Sequence, residues 1–387
     1  MSDRIYLDWN ATAPLRPQAR ATMLHALDAV GNPSSVHAEG RAARAMIEDA
    51  REKVAALVGA AARDVVFTSG GTEANALALT PMIGTDHAVR ERLLVSAIEH
   101  PSVLAGGRFP AQAIERLPIA RSGCIDLDAL ERRLATLRGS ALVSLMLANN
   151  ETGIIQPVAE AARLVHEAGA FLHVDTVQAA GKIPIEINEL GADFLTLSGH
   201  KIGAPKGVGA LIRRPGAPPI GDALVKGGGQ ERGARAGTEN VPGIAGFGAA
   251  AAAAREGLSS DAARMAALRD RLEACLRAAS PEIVIFGADQ KRLPNTTLCA
   301  LPGIKAETAI IAFDLEGFAL SSGAACSSGK VQPSHVLAAM GVPPPLARAA
   351  LRISLGPPTT ESEIDCFVRA WIKVSGVLLK ESRGIAA

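Results

Sequence analysis

The sequence predicts an α/β protein: a large domain with a mainly parallel, mixed sheet between helices, followed by a smaller α+β domain. Two observations carry this. Short apolar runs alternate with helix-period segments through the first two-thirds of the chain, the pattern of a sheet buried on both faces. After Gly257 that alternation stops, and a long helix is followed by short strands and single helices. The 387 residues suffice for two or three domains at about 150 residues each.

In order, residues 64–68, 93–96, 141–147, 171–175 and 194–197 read as buried strands. Residues 42–58, 72–79 and 158–166 read as the helices between them. The uncharged stretch 241–254 is rich in alanine and glycine. It falls short of the ~18–20 residues that span a bilayer and reads as a buried helix. Beyond it come a helix over 261–279, strands at 282–286 and 295–301, a helix near 306–314, a strand at 352–355 and a last helix from Glu361. The expected large domain is 16–257. The smaller one comprises 258–387 with residues 1–15 added.

Hydrophobic residues make up 48% and charged residues 20%, with a net charge of +1. That balance favours neither nucleic acid nor an anionic membrane as partner. The first residues show no apolar signal segment. Cys124, Cys275, Cys299, Cys326 and Cys366 are odd in number and lack a CxxC pair. This argues against a disulfide framework or structural zinc and for a reducing cytoplasm.

Several polar groups follow predicted strands, where open α/β sheets collect ligands. Ser69-Gly70-Gly71-Thr72 lies between a strand and a helix, so its backbone N–H groups can face an anion. A plain strand–turn–helix unit would look the same. Asp175 ends a strand, with Gln178 three residues on; it is either a helix cap or a carboxylate holding a protonated ring nitrogen. Ser198, His200 and Lys201 follow the strand 194–197. A lysine in such surroundings is costly unless its charge is relieved, and a Schiff base with an aldehyde cofactor would relieve it. A glycine-rich loop with surface lysines is the alternative. Finally, SSGAACSSGK (321–330) sets Cys326 among small residues. It is either a tolerated loop thiol or one that can be reached and can move.

Taken together these segments resemble the fold-type I pyridoxal 5′-phosphate (PLP) transferases. Within them the chain is similar to the class V aminotransferase group and its cysteine desulfurases of the NifS/IscS type. The resemblance rests on LDWNATAPL (7–15), GNPSSVHAEGR (31–41), FTSGGTEANALAL (67–79), SAIEHPSV (96–103), ANNETGIIQPV (148–158), HVDTVQAAGK (173–182), LSGHKIGAPKGVGAL (197–211), GGGQERGARAGTEN (227–240), SSGAACSSGKVQPSHVLAAMG (321–341) and LRISLG (351–356).

The resemblance implies PLP bound covalently on Lys201, with Asp175 on the pyridine nitrogen and Gln178 donating to the ring hydroxyl oxygen. It implies that His100 stacks on the ring and handles protons, and that Gly71, Thr72, Ser198 and His200 hold the phosphate. Thr238 is then expected to reach the phosphate of a neighbouring subunit, in a homodimer with shared active sites. Asn150 and Arg352 are expected at the carboxylate of the substrate, L-cysteine, Arg352 through a bidentate pair. The Cys326 thiolate would attack the substrate sulfur, keep it as a persulfide and release alanine. An ordinary cysteine is only a few per cent thiolate at pH 7, so the site must activate it. The stretch around Cys326 is similar to the longer loop of relatives that hand sulfur directly to iron–sulfur scaffold proteins. No resident metal is implied, although the persulfide could touch a nascent cluster.

Ala324, Ala236 and Ala13 stand where the family pattern usually has serine, serine and threonine. None removes a reacting group, but they leave the sulfur acceptor open. An aminotransferase or lyase would share Lys201 and Asp175 without needing Cys326. A non-catalytic sulfur or iron–sulfur carrier would need Cys326 without Lys201.

Overall fold

The computed structural model describes residues 4–82, 89–137, 140–322 and 334–384. Its strands are β1 (Ile5–Tyr6), β2 (Val65–Thr68), β3 (Arg92–Ser96), β4 (Ile114–Leu117), β5 (Ala141–Met146), β6 (Phe171–Asp175), β7 (Phe194–Ser198), β8 (Gly209–Arg213), β9 (Val284–Ile285), β10 (Thr296–Ala300), β11 (Phe318–Ala319), β12 (Ser321–Ser322) and β13 (Ala350–Ser354). The first helices are α1 (Pro17–Asp28), α2 (Ala38–Ala56), α3 (Gly71–Ala78), α4 (Pro101–Leu104), α5 (Leu127–Thr136), α6 (Val158–Glu167) and α7 (Ile187–Leu190). The remainder are α8 (Val241–Glu256), α9 (Leu258–Ala279), α10 (Ala306–Leu315), α11 (His335–Ala339), α12 (Pro344–Ala347) and α13 (Glu361–Gly384).

Seven strands form the large sheet in the order β2-β8-β7-β6-β5-β3-β4. The five from β7 to β4 are parallel, and β8 runs against both its neighbours. Helices cover both faces, so β5 is buried at every residue and needs no polar alternation. The alanine- and glycine-rich α8 is buried because small side chains let backbones approach. A Cβ on Gly248 would sit 2.5 Å from the Cα of Ala50 on α2.

The second sheet is antiparallel, in the order β12-β13-β10-β9. Its core includes Leu272, Phe313, Phe367 and Trp371, with Phe313 stacked on Trp371 at 5.9 Å. The N-terminal segment joins this side of the molecule: β1 pairs with β11, and Asp8 bridges to Ser354. It thereby carries residues 8–12 to the carboxyl ends of β6 and β7.

The predicted strands of the large sheet and the helix over 241–254 are present. The strand expected at 282–286 shrinks to Val284–Ile285. Two strands of the large sheet escaped the sequence reading, as did the two-residue β1, β11 and β12. β4 (IERL) is a polar edge strand with one buried residue, and β8 opens on glycine and alanine inside a glycine-rich segment. Gly209 is required there, since its Cβ would lie 2.5 Å from the carbonyl carbon of Gly70. No helix among the described residues is long and apolar enough to cross a membrane.

Candidate active site

A cavity of about 800 Å³ opens where β5, β6 and β7 end, closed on the other side by the N-terminal segment and by β12 and β13. Ten of the twelve site residues expected from the sequence line it. Gly71 and Thr72 begin α3, Ser198 ends β7, and His200 and Lys201 follow. Asp175 ends β6, with Gln178 three residues on, while His100, Asn150 and Arg352 face the same space. Thr238 is exposed and is not among the lining residues. Cys326 lies outside the described residues.

Lys201 Nζ donates to the carbonyl oxygens of Asn10 (2.6 Å) and Ala11 (2.8 Å). Burial, reinforced by the Arg352 charge, brings its pKa down to about 8, against the smaller opposing pull of Asp8 and Asp175. A useful fraction is therefore free amine near neutral pH, the form that attacks an aldehyde.

Asp175 is buried, with 7% of its surface exposed. Oδ1 accepts from the backbone N–H of Val177 and Oδ2 from Asn75 Nδ2, each at 2.9 Å. The carboxylate thus caps its own turn and also lines the cavity. Asn75 was not expected. It sits on the buried face of α3 with Ala74, Leu77 and Ala78, its Nδ2 also donates to Ser102 Oγ, and its Oδ1 accepts from Thr196 Oγ1. A polar residue on the buried face of a short helix was the available signal.

His100 caps α4: its Nδ1 accepts from the Ser102 N–H (3.2 Å) and lies 2.8 Å from Ser102 Oγ. With Nδ1 accepting, the ring proton sits on Nε2. Burial lowers the His100 pKa, with Asp175 opposing and Lys201 and His335 assisting. Beneath it Glu99 is fully buried. Its Oε1 accepts from the Met146 N–H at 2.7 Å, and burial together with Asp175 raises its pKa well above the carboxylate range. Elsewhere in the lining, burial and the charges of Lys201 and Lys206 bring the pKa of His200 to about 4; it is a neutral imidazole whose Nδ1 is 3.1 Å from Thr12 Oγ1.

Gln178 and Arg352 have partners within the chain. Gln178 Nε2 donates to the Asn10 carbonyl (2.9 Å), and its Oε1 accepts from the buried Lys182 Nζ (2.9 Å); a second N–H on Nε2 is left for a ligand. Arg352 already has partners: Nη1 donates to Asn150 O and Nη2 to Asp8 Oδ1, each at 2.8 Å. Three of its five N–H groups remain for a substrate carboxylate. Asp8 and Asn10 reach the site on the N-terminal segment, which sequence reasoning had not credited with site residues.

The chain matches the family model for Aminotransferase class-V over residues 5–367. The cysteine desulfurase of Cereibacter sphaeroides is 45% identical over 369 residues, covering 94% of this chain and 93% of its own. This chain belongs to the cysteine desulfurases of the class V aminotransferase family. The structure of a NifS-like protein from Rickettsia africae agrees, with a TM-score of 0.86 at 36% identity over 96% of this chain and 99% of that one. A structure titled SspA in complex with cysteine has a TM-score of 0.76 at 29% identity, covering 92% of this chain and all of the other.

Desulfurases of this family depend on PLP, and the residues present fit it. The buried carboxylate of Asp175 suits a protonated ring nitrogen, and the lowered Lys201 amine suits an aldehyde. The start of α3 offers unpaired backbone N–H groups to a phosphate. Among the described residues no cluster of His, Cys, Asp or Glu could hold a metal ion.

Proposed function

We propose that this chain converts L-cysteine to L-alanine, using PLP held covalently by Lys201 and passing the sulfur as a persulfide on Cys326 to an acceptor protein. The observation that carries the reading is the convergence of Lys201, Asp175, His100 and Arg352 in one 800 Å³ cavity. When bound, the cofactor withdraws electrons from the substrate Cα so that the Cβ–sulfur bond can break.

The chain's own groups do the rest. Asp175, kept in place by Asn75 and Val177, holds the ring nitrogen protonated. Gln178 gives its free N–H to the ring oxygen, and Gly71, Thr72, Ser198 and His200 take the phosphate. Arg352 and Asn150 fix the substrate carboxylate. Lys201 would move a proton at the substrate Cα. His100, neutral and protonated on Nε2, can exchange a proton with the substrate or the attacking thiol. The Cys326 thiolate takes the sulfur, and alanine leaves.

Thr238 completes the phosphate site of a second copy, so the working unit is a homodimer with shared sites. Residues 16–257 form the cofactor-binding domain, and residues 1–15 with 258–387 form the smaller one carrying Cys326. The acceptor is an iron–sulfur scaffold or another sulfur-receiving protein in the cytoplasm. The test is to supply cysteine with a thiol reductant and measure alanine and sulfide together. Equal yields support the reading; pyruvate or ammonia in place of alanine would replace it with a lyase.

A further inference from the structure

Glu231 and Arg232 have φ of 47° and 56° and are the only non-glycine residues with positive φ among the described residues. Side chains with a Cβ rarely adopt this conformation, and it persists where surrounding contacts over-determine it. Here those contacts are strong. The buried Glu231 carboxylate takes the Arg51 guanidinium on both oxygens, at 2.7 and 2.8 Å, and accepts from the Phe67 N–H at 2.9 Å. Arg232 Nη1 donates to the Arg63 carbonyl. A paired, hydrogen-bonded carboxylate of this kind fixes geometry in a way an exposed ion pair does not.

A second clasp follows within the same segment. Arg235 Nε donates to Glu73 Oε1 at 2.9 Å, and Glu73 Oε2 accepts from the Ser69 N–H at 2.9 Å. Burial opposes ionisation of Glu73, yet its hydrogen bonds to Arg235 and Ser69 hold its pKa below the ordinary value. The phosphate turn Ser69–Thr72 therefore lies between the two anchor points, Phe67 before it and Glu73 after it. Between Arg235 and the start of α8 the segment turns outward, closed by Gly237 N–H on Gln230 Oε1 at 3.2 Å, and leaves Thr238 exposed.

We infer that Glu231 and Arg235 are positioning residues for the cofactor site of the partner subunit, holding the segment that bears Thr238 in register with this chain's own phosphate turn. The inference rests on the proposed shared-site homodimer. Its physical content is preorganisation: ordering Thr238 before assembly removes that entropy cost from cofactor binding. Each phosphate turn then serves as the template for the loop that completes the other site.

Glu231→Gln would leave the buried Arg51 with only the partly exposed Glu48 as counter-charge, so the test uses the more exposed Arg235. Mixed dimers of a Lys201→Ala subunit and a Lys201-intact subunit contain one site able to form the Schiff base, and its Thr238 comes from the Lys201→Ala chain. The readout is PLP affinity, titrated through the visible band, with sedimentation to check the dimer. Arg235→Gln in the Lys201→Ala chain should weaken PLP binding at the other chain's Lys201 at least fivefold, and Arg235→Lys should recover most of the loss. Thr238→Val in that chain should weaken binding likewise. If Thr238→Val weakens binding but Arg235→Gln is silent there, or acts only within its own chain, the inference is overturned. If Thr238→Val is itself silent, the shared-site reading fails and takes this inference with it.

Discussion

Arg352 donates to Asp8 at 2.8 Å from one arm of its guanidinium and to the Asn150 carbonyl at 2.8 Å from the other. The group expected to receive the substrate carboxylate is thus oriented before substrate arrives. Its planar fork makes three simultaneous contacts possible, which an ammonium cannot reproduce. Arg352→Lys should therefore raise KM for cysteine about 10–100-fold, the worth of one charged hydrogen bond at ~1.5–3 kcal/mol, with a smaller effect on kcat. Steady-state kinetics check this, and an effect on kcat alone would place Arg352 elsewhere in the mechanism.

Asp175→Asn should keep much of the cofactor, because the phosphate contacts and Lys201 are untouched, and lose most turnover. Removing one member of a buried charge pair costs about 3–5 kcal/mol, or some hundredfold or more in rate. Near-normal turnover would show that the carboxylate is not the partner of the ring nitrogen. Asn75→Ala should act in the same direction more weakly, since it removes one of the two donors that orient Asp175.

The capture of PLP by cofactor-free protein should follow the free-amine form of Lys201. Its rate should rise with pH and level off above about 8. After burial, Arg352 is the main group lowering that pKa, so Arg352→Met should move the inflection to higher pH. Stopped-flow absorbance reads it directly; an inflection near the ordinary lysine value in the unaltered protein would contradict the electrostatic account.

Glu151 gives a stability prediction. It is buried beside Asn150 and accepts from the Ser334 hydroxyl. Burial raises its pKa to about 7, against the lowering effects of Ser334 and Arg352. A raised carboxyl pKa means the folded state holds the proton more tightly. That contribution is fully present below the unfolded value near 4.5 and is lost as pH rises through about 7. Glu151→Gln keeps an acceptor for Ser334 without the charge. It should raise Tm relative to the parent at pH 8 and leave it nearly unchanged at pH 5, as calorimetry at the two values would show.

What could be read from the sequence follows from burial. β5, β6 and β7 are apolar throughout or nearly so, and the polar residues at their ends, Asp175, Ser198 and Lys201, stand out against them. The N-terminal segment offered no such contrast. Asp8 and Asn10 become site residues only because β1 pairs with β11 across the chain, and that long-range pairing leaves no local periodicity. Asn75 carried a weak signal, a polar residue on the buried face of an eight-residue helix, but its role emerges only once Asp175 is placed opposite it. Gln178 and Arg352 line the cavity, but their partners Asn10 and Asp8 could not be foreseen, since hydrogen bonds across 168 and 344 residues have no signature in spacing.

The most direct test of the account follows the sulfur itself. After one turnover of cysteine, intact-protein and peptide mass spectrometry should find one added sulfur atom on Cys326, with an equal amount of alanine released. The buried Cys299, whose thiol pKa is pushed up by its surroundings, and the described free cysteines Cys124, Cys275 and Cys366 should carry none. Cys326→Ala should still bind PLP and change its absorption on adding cysteine, yet release no alanine at an appreciable rate. Alanine formation by Cys326→Ala at the wild-type rate, or the added sulfur on another cysteine, would contradict the assignment.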